Sequence, residues 1–151
     1  MANGKHRRQR QRRARRGVSI VQTALVLNIC LIFIFALFDF GRVIMLRQIM
    51  ENAAREGARL AVVNTSNLQT SDIQSCVTSY LAGQSLNGLT ISVYEANTTT
   101  GANIGAWTNA GLTNCIAVEL TATYTPMTPT FSMLPSNLPM HAKAMMYSEG
   151  N

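Results

Sequence analysis

The feature of this sequence that most constrains its fold is an uncharged apolar stretch at residues 18–38. It is 21 residues long, and 14 of them are Leu, Ile, Val or Phe. As an α-helix rising about 1.5 Å per residue it would be about 31 Å long, which is the thickness of a bilayer's hydrocarbon core. So many apolar side chains outweigh the cost of burying Gln22, Thr23 and Asn28 in lipid. The sequence therefore predicts a transmembrane helix over residues 18–38.

Positive charge is concentrated just before this stretch. Residues 1–17 contain eight of the 13 Lys and Arg residues and none of the seven Asp and Glu residues. The positive-inside rule then predicts a cytoplasmic N-terminus and export of the chain beyond Asp39. A basic block also binds nucleic-acid phosphates, but this one has no aromatic side chain for base stacking. We therefore predict a membrane partner and no nucleic acid.

The span ends differently from a cleaved secretory signal. Such a signal has a shorter apolar region, of about 7–15 residues, followed by small residues at the cleavage site. Here the apolar stretch ends in Ala36-Leu37-Phe38-Asp39-Phe40, which lacks that pattern. Retention of the helix in the membrane is the favoured interpretation.

The helical pattern continues beyond the membrane segment. Apolar and small residues recur at spacings of three and four, and Asn64 to Asn67 then interrupt the pattern. The recurring residues are Leu46, Ile49, Met50, Ala53, Gly57, Leu60 and Ala61. The sequence thus predicts one helix over residues 18–63, whose second part, residues 39–63, is an amphipathic stalk.

A second, shorter helix is predicted from Asp72 to Ala82. Ser71 is suited to be its N-cap, and Gln74 follows three residues later, as in a capping box. Gly83 is placed to end it.

Beyond Gly83 the apolar period changes from helical to alternating. Leu89, Ile91 and Val93 alternate with Thr90, Ser92 and Tyr94, and a similar alternation runs from Ile116 to Ala122. A last strand is predicted around residues 141–146, and polar or proline-containing loops separate the strands. Residues 64–151 are therefore predicted to be an exported α+β head, with three or four antiparallel strands packed against the stalk.

Two of the three cysteines fall in the predicted head. Cys30 lies within the membrane span, whereas Cys76 and Cys115 would be in an oxidising compartment. A bridge between them would close a loop of about 40 residues and stabilise a small core by roughly 4 kcal/mol. We predict this disulfide, with two free thiols as the alternative.

No arrangement of residues typical of a catalytic site is evident. His6 lies in the basic leader and His141 stands alone, so that neither a metal pair nor a Ser-His-Asp set has its parts at recognisable spacing. The acidic residues of the head, Asp72, Glu95, Glu119 and Glu149, are scattered. The prediction is a protein that is not an enzyme and has no cofactor.

Two groups of residues are candidates for membrane and subunit contacts. Asp39 and Arg42, three residues apart, mark the predicted exported boundary of the membrane. Small residues at positions 52–59, Gly57 and Ala58 among them, would let another helix approach closely. We predict a packing surface for another subunit there.

These features, taken in order, resemble the TadE-like family. The resemblance rests on a basic leader, Gly17, the apolar helix, Asp39-Phe40-Gly41-Arg42, and the sequence from Asn52 to Arg59. It implies a pilin-like fold and a pseudopilin or minor pilin of a Tad (Flp) pilus assembly system in the bacterial inner membrane. Its partners would be other pilin subunits, the assembly platform and a prepilin peptidase cutting between Gly17 and Val18. Cell adhesion or secretion would be the wider process.

Gln22 departs from the family's pattern. Pilin-like members usually have Glu five residues after the cut, where it pairs with an N-terminal amine inside the filament. Gln22 forms hydrogen bonds but carries no charge, so its predicted role is a subunit contact in a minor subunit or in an unprocessed anchor. The alternative function is a membrane-anchored extracytoplasmic binding or sensor domain that never enters a filament.

Overall fold

The computed structural model describes the backbone of residues 3–63, 67–84, 86–112, 114–126 and 137–148, and their side chains from Val18 onward. Its longest element is α1, an α-helix at Asn3–Val63. The chain divides into two compact units, Met1–Phe40 and Gly41–Asn151. The predicted helix through residue 63 is confirmed, and it begins earlier than the apolar stretch does.

The second helix, α2, is at Thr70–Tyr80 and begins two residues before its predicted start. Its N-cap is Gln69, whose backbone N–H donates to Asp72 Oδ2 at 2.9 Å. The predicted cap, Ser71, instead lies within the first turn, and its carbonyl accepts a hydrogen bond from Ser75 Oγ at 2.8 Å. The carboxylate of Asp72 lies in the first turn, where it also suits the positive end of the helix dipole.

Four strands form one antiparallel sheet in the order β2-β1-β3-β4. Their bounds are Asn87–Ala96 for β1, Asn103–Gly105 for β2, Cys115–Tyr124 for β3 and Leu138–Tyr147 for β4. β3 and β4 pair over ten residues, from Cys115 with Tyr147 to Tyr124 with Leu138. The predicted fold class, a long helix, a short helix and a small antiparallel sheet, is confirmed.

The polar segment after β1, which we predicted to be a loop, contains two short elements. One is β2 and the other is a single 3-10 turn at Trp107–Asn109. The indole N–H of Trp107 donates to Thr70 Oγ1 at 2.9 Å, which ties the turn to the start of α2. Both elements are too short for periodicity to reveal. Two prolines of the predicted loop between β3 and β4, Pro129 and Pro135, lie outside the described residues.

The two faces of the sheet have different surroundings. Alternate residues of β3, such as Ile116, Val118 and Leu120, belong to the main core with α1 and α2, and we call this side the inner face. Successive side chains of a strand point to opposite sides of a sheet. Cys115 and Ala117 therefore lie on the outer face, where they form a smaller buried cluster with Tyr94 and Ala96.

Candidate functional site

The first candidate surface is the apolar part of α1, which we call the apolar segment, residues 18–40. Large hydrophobic side chains along it are exposed, among them Val18 at 67%, Phe33 at 73% and Phe38 at 72%. The described chain contains one helix long and apolar enough to cross a membrane, within Val18–Val63, with a mean hydropathy of 2.5 and none of that window buried. An exposed apolar surface of this extent is typical of a surface that lipid or other apolar helices cover.

The two predicted processing residues and one predicted subunit contact, Gln22, lie at or next to the start of the apolar segment. Gly17 and Val18 are both within α1, so the proposed processing position is helical. The side chain of Gln22 is exposed among the apolar ones. Its neighbour Thr23 donates from Oγ1 to the carbonyl of Ser19 at 2.9 Å, which satisfies that hydroxyl within the helix.

Asp39 and Arg42 lie near residues 40 and 41, where the two units meet in sequence. Asp39 belongs to the first unit and Arg42 to the second, and both side chains are half-buried. Their predicted place at a membrane boundary stays a prediction.

The small residues of α1 pack within the chain itself. A Cβ added to Gly57 would lie 2.6 Å from Cγ2 of Val77 and 3.5 Å from Cγ1 of Val118. Ala58 is fully buried in the same core. The close approach that we predicted for another subunit is thus made by this chain's own α2 and β3, because the head covers this side of the helix. Sites for another subunit must be sought on the exposed residues.

The exposed side of α1 beyond Gly41 carries intrahelical ion pairs. Arg47 Nε lies 3.3 Å from Glu51 Oε1, and Arg59 Nε lies 3.1 Å from Glu56 Oε2. The hydrogen bond from Arg59 lowers the pKa of the Glu56 carboxyl. Such exposed pairs contribute little to stability, so their main effect is to give this surface a fixed pattern of charge.

The second candidate surface is a polar cluster on the outer face of the sheet. The hydroxyl of Tyr94 donates to Glu119 Oε2, and His141 Nε2 lies 2.8 Å from Glu119 Oε1. Lys143 donates to the carbonyl of Gly101, and its Nζ lies 5.3 Å from the centroid of the Tyr94 ring. The cluster joins β1, β3 and β4, and ties the turn at Gly101 to β4.

This cluster shifts the ionisation of two of its members. The hydrogen bond from Tyr94, and next the one from His141, lower the pKa of Glu119. Burial, followed by the hydrogen bond to Glu119, raises the pKa of Tyr94. Glu119 is therefore held as a carboxylate and Tyr94 as a neutral phenol, which is an arrangement suited to holding the sheet together.

Sequence reasoning missed this cluster although it singled out two of its members. Glu119 and His141 are 22 residues apart in sequence, and only the register of β3 with β4 brings them to neighbouring positions. The alternation of polar residues in both strands indicates their shared face, but it does not give the register. Within the described residues, no group of three His, Cys, Asp or Glu side chains is placed to hold a metal ion.

The predicted Cys76–Cys115 disulfide is absent from the structure, where both residues are free cysteines. Cys76 is on α2, whose Ile73 and Val77 belong to the main core on the inner face. Cys115 is buried on the outer face. The sheet therefore separates the two thiols, which is why the prediction was wrong. Cys30 is exposed on the apolar segment and is also free.

In the comparison with known proteins, the match covers part of α1 and does not extend to the rest of the head. The family model described as TadE-like protein matches residues 17–59, which confirms the resemblance over that part of α1. No curated protein and no solved structure matched the chain. The match includes the whole apolar segment and ends before α2.

Proposed function

Because residues 17–59 are TadE-like, we propose that this chain is a structural component of a Tad (Flp) pilus assembly or secretion system, a pseudopilin or minor pilin. The observation that carries the proposal is the coincidence of the family match with the exposed apolar segment. The chain acts by packing this helix in the membrane or in a filament. The similarity of residues 17–59 to that family supports a role associated with a Tad pilus.

The distribution of exposed side chains supports packing on every side of the apolar segment. Leu25, Val26 and Leu27 are consecutive, so they point in directions about 100° apart, and all three are more than half exposed. A helix that is apolar all round is stable inside lipid or surrounded by other apolar helices. Gln22 then supplies a hydrogen bond to a neighbouring subunit.

The same helix gives the proposed location and processing of the chain. With the basic leader on the cytoplasmic side, the head lies in the periplasm or at the cell surface, and the helix is held in the inner membrane. A prepilin peptidase cuts between Gly17 and Val18. N-terminal sequencing of protein extracted from membranes tests this step: a chain beginning at Val18 supports processing, and one beginning before Arg16 contradicts it.

Co-purification from membranes tests the function itself. The intact chain is expressed together with the other pilus proteins, extracted in mild detergent and captured, and we expect pilin subunits or platform proteins to accompany it. Leu31→Arg places a charge in the apolar segment, and Leu112→Arg makes the same change at an exposed apolar residue of the head. At equal amounts of membrane-bound chain, the first variant should retain fewer pilus proteins and the second should match the unmodified chain.

Two results would contradict the proposal. One is a full chain that stays soluble without detergent or is stripped from membranes by an alkaline wash. The other is a membrane-bound chain that brings down a soluble ligand and none of the pilus proteins, since that result identifies an anchored binding or sensor domain.

A further inference from the structure

The strand β4 is at one end of the sheet. One of its long edges pairs with β3, and no other strand of the described chain pairs with the opposite edge, which we call the free edge. Unpaired backbone N–H and C=O groups along such an edge can pair with a strand of another polypeptide. The free edge is therefore a candidate binding site, whose chemistry depends on which residues face it.

The hydrogen bonds between β3 and β4 determine which residues face the free edge. The backbone N–H of Ser148 donates to the carbonyl of Asn114 at 2.9 Å, directly after the pair of Cys115 with Tyr147. Hydrogen-bonded and non-hydrogen-bonded pairs alternate along antiparallel strands, so the even-numbered residues of β4 bond to β3. The odd-numbered residues direct their N–H and C=O groups to the free edge. They are Pro139, His141, Lys143, Met145 and Tyr147.

The position of Pro139 agrees with this assignment. Proline has no backbone N–H, and within a sheet it is tolerated where an N–H would point away from the neighbouring strand. Pro139 is opposite Thr123 in a register that continues without a shift along the whole of β4. The missing N–H therefore costs the pairing with β3 nothing. Each later odd-numbered residue of β4 offers one donor and one acceptor to an incoming strand.

The side chains of three of these residues indicate the chemistry of the incoming strand. Met145 is 45% exposed and Tyr147 is 66% exposed, so two large apolar side chains lie beside the free edge. Lys143 is exposed and forms no salt bridge within the described residues. Both carboxylate oxygens of its neighbour Glu119 already have other side chains as hydrogen-bond partners. A carboxylate on the incoming strand would therefore complement Lys143.

We propose that the free edge of β4 binds an extended segment of another polypeptide as an added antiparallel strand. Read from its N-terminus, this segment has an apolar, an apolar and an acidic residue at alternate positions, which face Tyr147, Met145 and Lys143 in that order. The β4 strand of a second copy lacks this chemistry, because it contains no Asp or Glu to face Lys143. The inference concerns the head and does not depend on the proposed pilus role.

A synthetic peptide tests the proposed chemistry. The probe is a dye-labelled seven-residue peptide with blocked ends, in the order isoleucine, threonine, valine, threonine, glutamate, threonine, threonine. It is titrated into the full-length chain in neutral detergent, and fluorescence polarisation measures binding. A matched peptide has lysine in place of glutamate. We expect the glutamate peptide to bind more tightly, and Lys143→Gln to weaken its binding by about two- to fivefold without weakening that of the lysine peptide.

Two methylated peptides test whether the probe binds as a strand. In the proposed register the amides of its valine and glutamate point to β4, and those of the two threonines beside the valine point away. Methylation of the first two amides should weaken binding by more than about tenfold, and methylation of the second two should have little effect. The two peptides have the same composition, so partition into detergent does not distinguish them.

A proline substitution tests the same arrangement from the protein side. Met145→Pro removes one N–H from the free edge and leaves the bonds to β3 in place, as Pro139 does. It should bind the glutamate peptide about three- to tenfold more weakly than Met145→Ala, which keeps that N–H. If Met145→Pro does not fold, amide hydrogen exchange of the unmodified chain decides. The peptide should slow exchange at Lys143 and Met145 and leave Ala144 unchanged.

Four results would overturn the proposal. Equal binding of the two methylated peptides would exclude strand addition, and slower exchange at Ala144 together with Lys143 would exclude the assigned hydrogen-bond pattern. A glutamate peptide that does not bind would mean that Lys143 and Pro139 only protect this edge from pairing. A dimer of the unmodified chain that Met145→Pro dissociates and Met145→Ala does not would make a second copy the occupant.

Discussion

Replacing Gly57 by alanine should destabilise the head, although alanine is normally the better helix former. The added Cβ would lie 2.6 Å from Cγ2 of Val77, a separation that real Cβ atoms essentially never show. Val77 is fully buried, so its methyl group has no open space to move into. The helix and α2 must move apart, which also loosens the packing of this part of α1 beside Val118 and Ile73.

The size of the effect follows from two opposing contributions. Forcing an extra methyl group into a packed core costs about 1–3 kcal/mol. The change from Gly to Ala in a helix interior stabilises the helix by about 1 kcal/mol. Gly41 lies in the same helix with nothing within 4 Å of an added Cβ, so Gly41→Ala measures the second contribution alone. The free energy of unfolding of Gly57→Ala should be about 1–3 kcal/mol below that of Gly41→Ala.

Urea unfolding of the full chain in detergent, followed by tryptophan fluorescence, measures this difference. Trp107 is the one tryptophan of the sequence, and it is buried in the main core that contains Val77. Val77→Ala removes the clashing methyl group, so combining it with Gly57→Ala should cost less than the sum of the two single changes. If Gly57→Ala is as stable as Gly41→Ala, the close packing of α1 on α2 is refuted.

Two further predictions concern the head. Because hydrogen bonds from Tyr94 and His141 lower the pKa of Glu119 below its ordinary value of 4.5, ionised Glu119 adds stability above that value, and this stability is lost as pH falls through the lowered pKa. Between about pH 6 and about pH 3, Glu119→Gln should therefore lose less unfolding free energy than the unmodified chain, and an equal loss would exclude Glu119 as the cause. For the cysteines, we expect Cys76 and Cys115 both to be alkylated when the exported protein is denatured without reductant, and a peptide linked through these two residues would contradict the separation of the thiols by the sheet.

The elements of this fold were predictable because each depends on a local pattern. Length and composition predict the apolar segment. The alternation of Leu89, Ile91 and Val93 with the residues between them predicts β1. All three side chains of β1 are indeed packed against the main core. What a residue contacts was less predictable, since contacts depend on register and on which face of the sheet a helix covers.

Two predictions differ from the structure, the disulfide and the subunit contact at Gly57. Both required knowledge of tertiary contacts. A bridge between Cys76 and Cys115 suited the spacing and compartment, but Cys115 takes the outer face by the simple alternation of β3. Gly57 correctly indicated a close helix contact, although the partner proved to be the chain's own α2. Small residues therefore indicate close packing without distinguishing an intramolecular from an intermolecular contact.

The extent of the family match gives this distinction a further consequence. The match ends at residue 59, yet Gly57 and Ala58, which lie inside it, are buried by α2 and the sheet, which lie outside it. The matched helix thus has two different surfaces. Its apolar segment is exposed, and its small residues pack against the head. A head of different sequence on the same helix must still supply side chains that fit around Gly57, as Ile73, Val77 and Val118 do here. Its outer face bears no such constraint, because the buried cluster described there contains no residue of α1, so differences in recognition between related heads should be concentrated on that face.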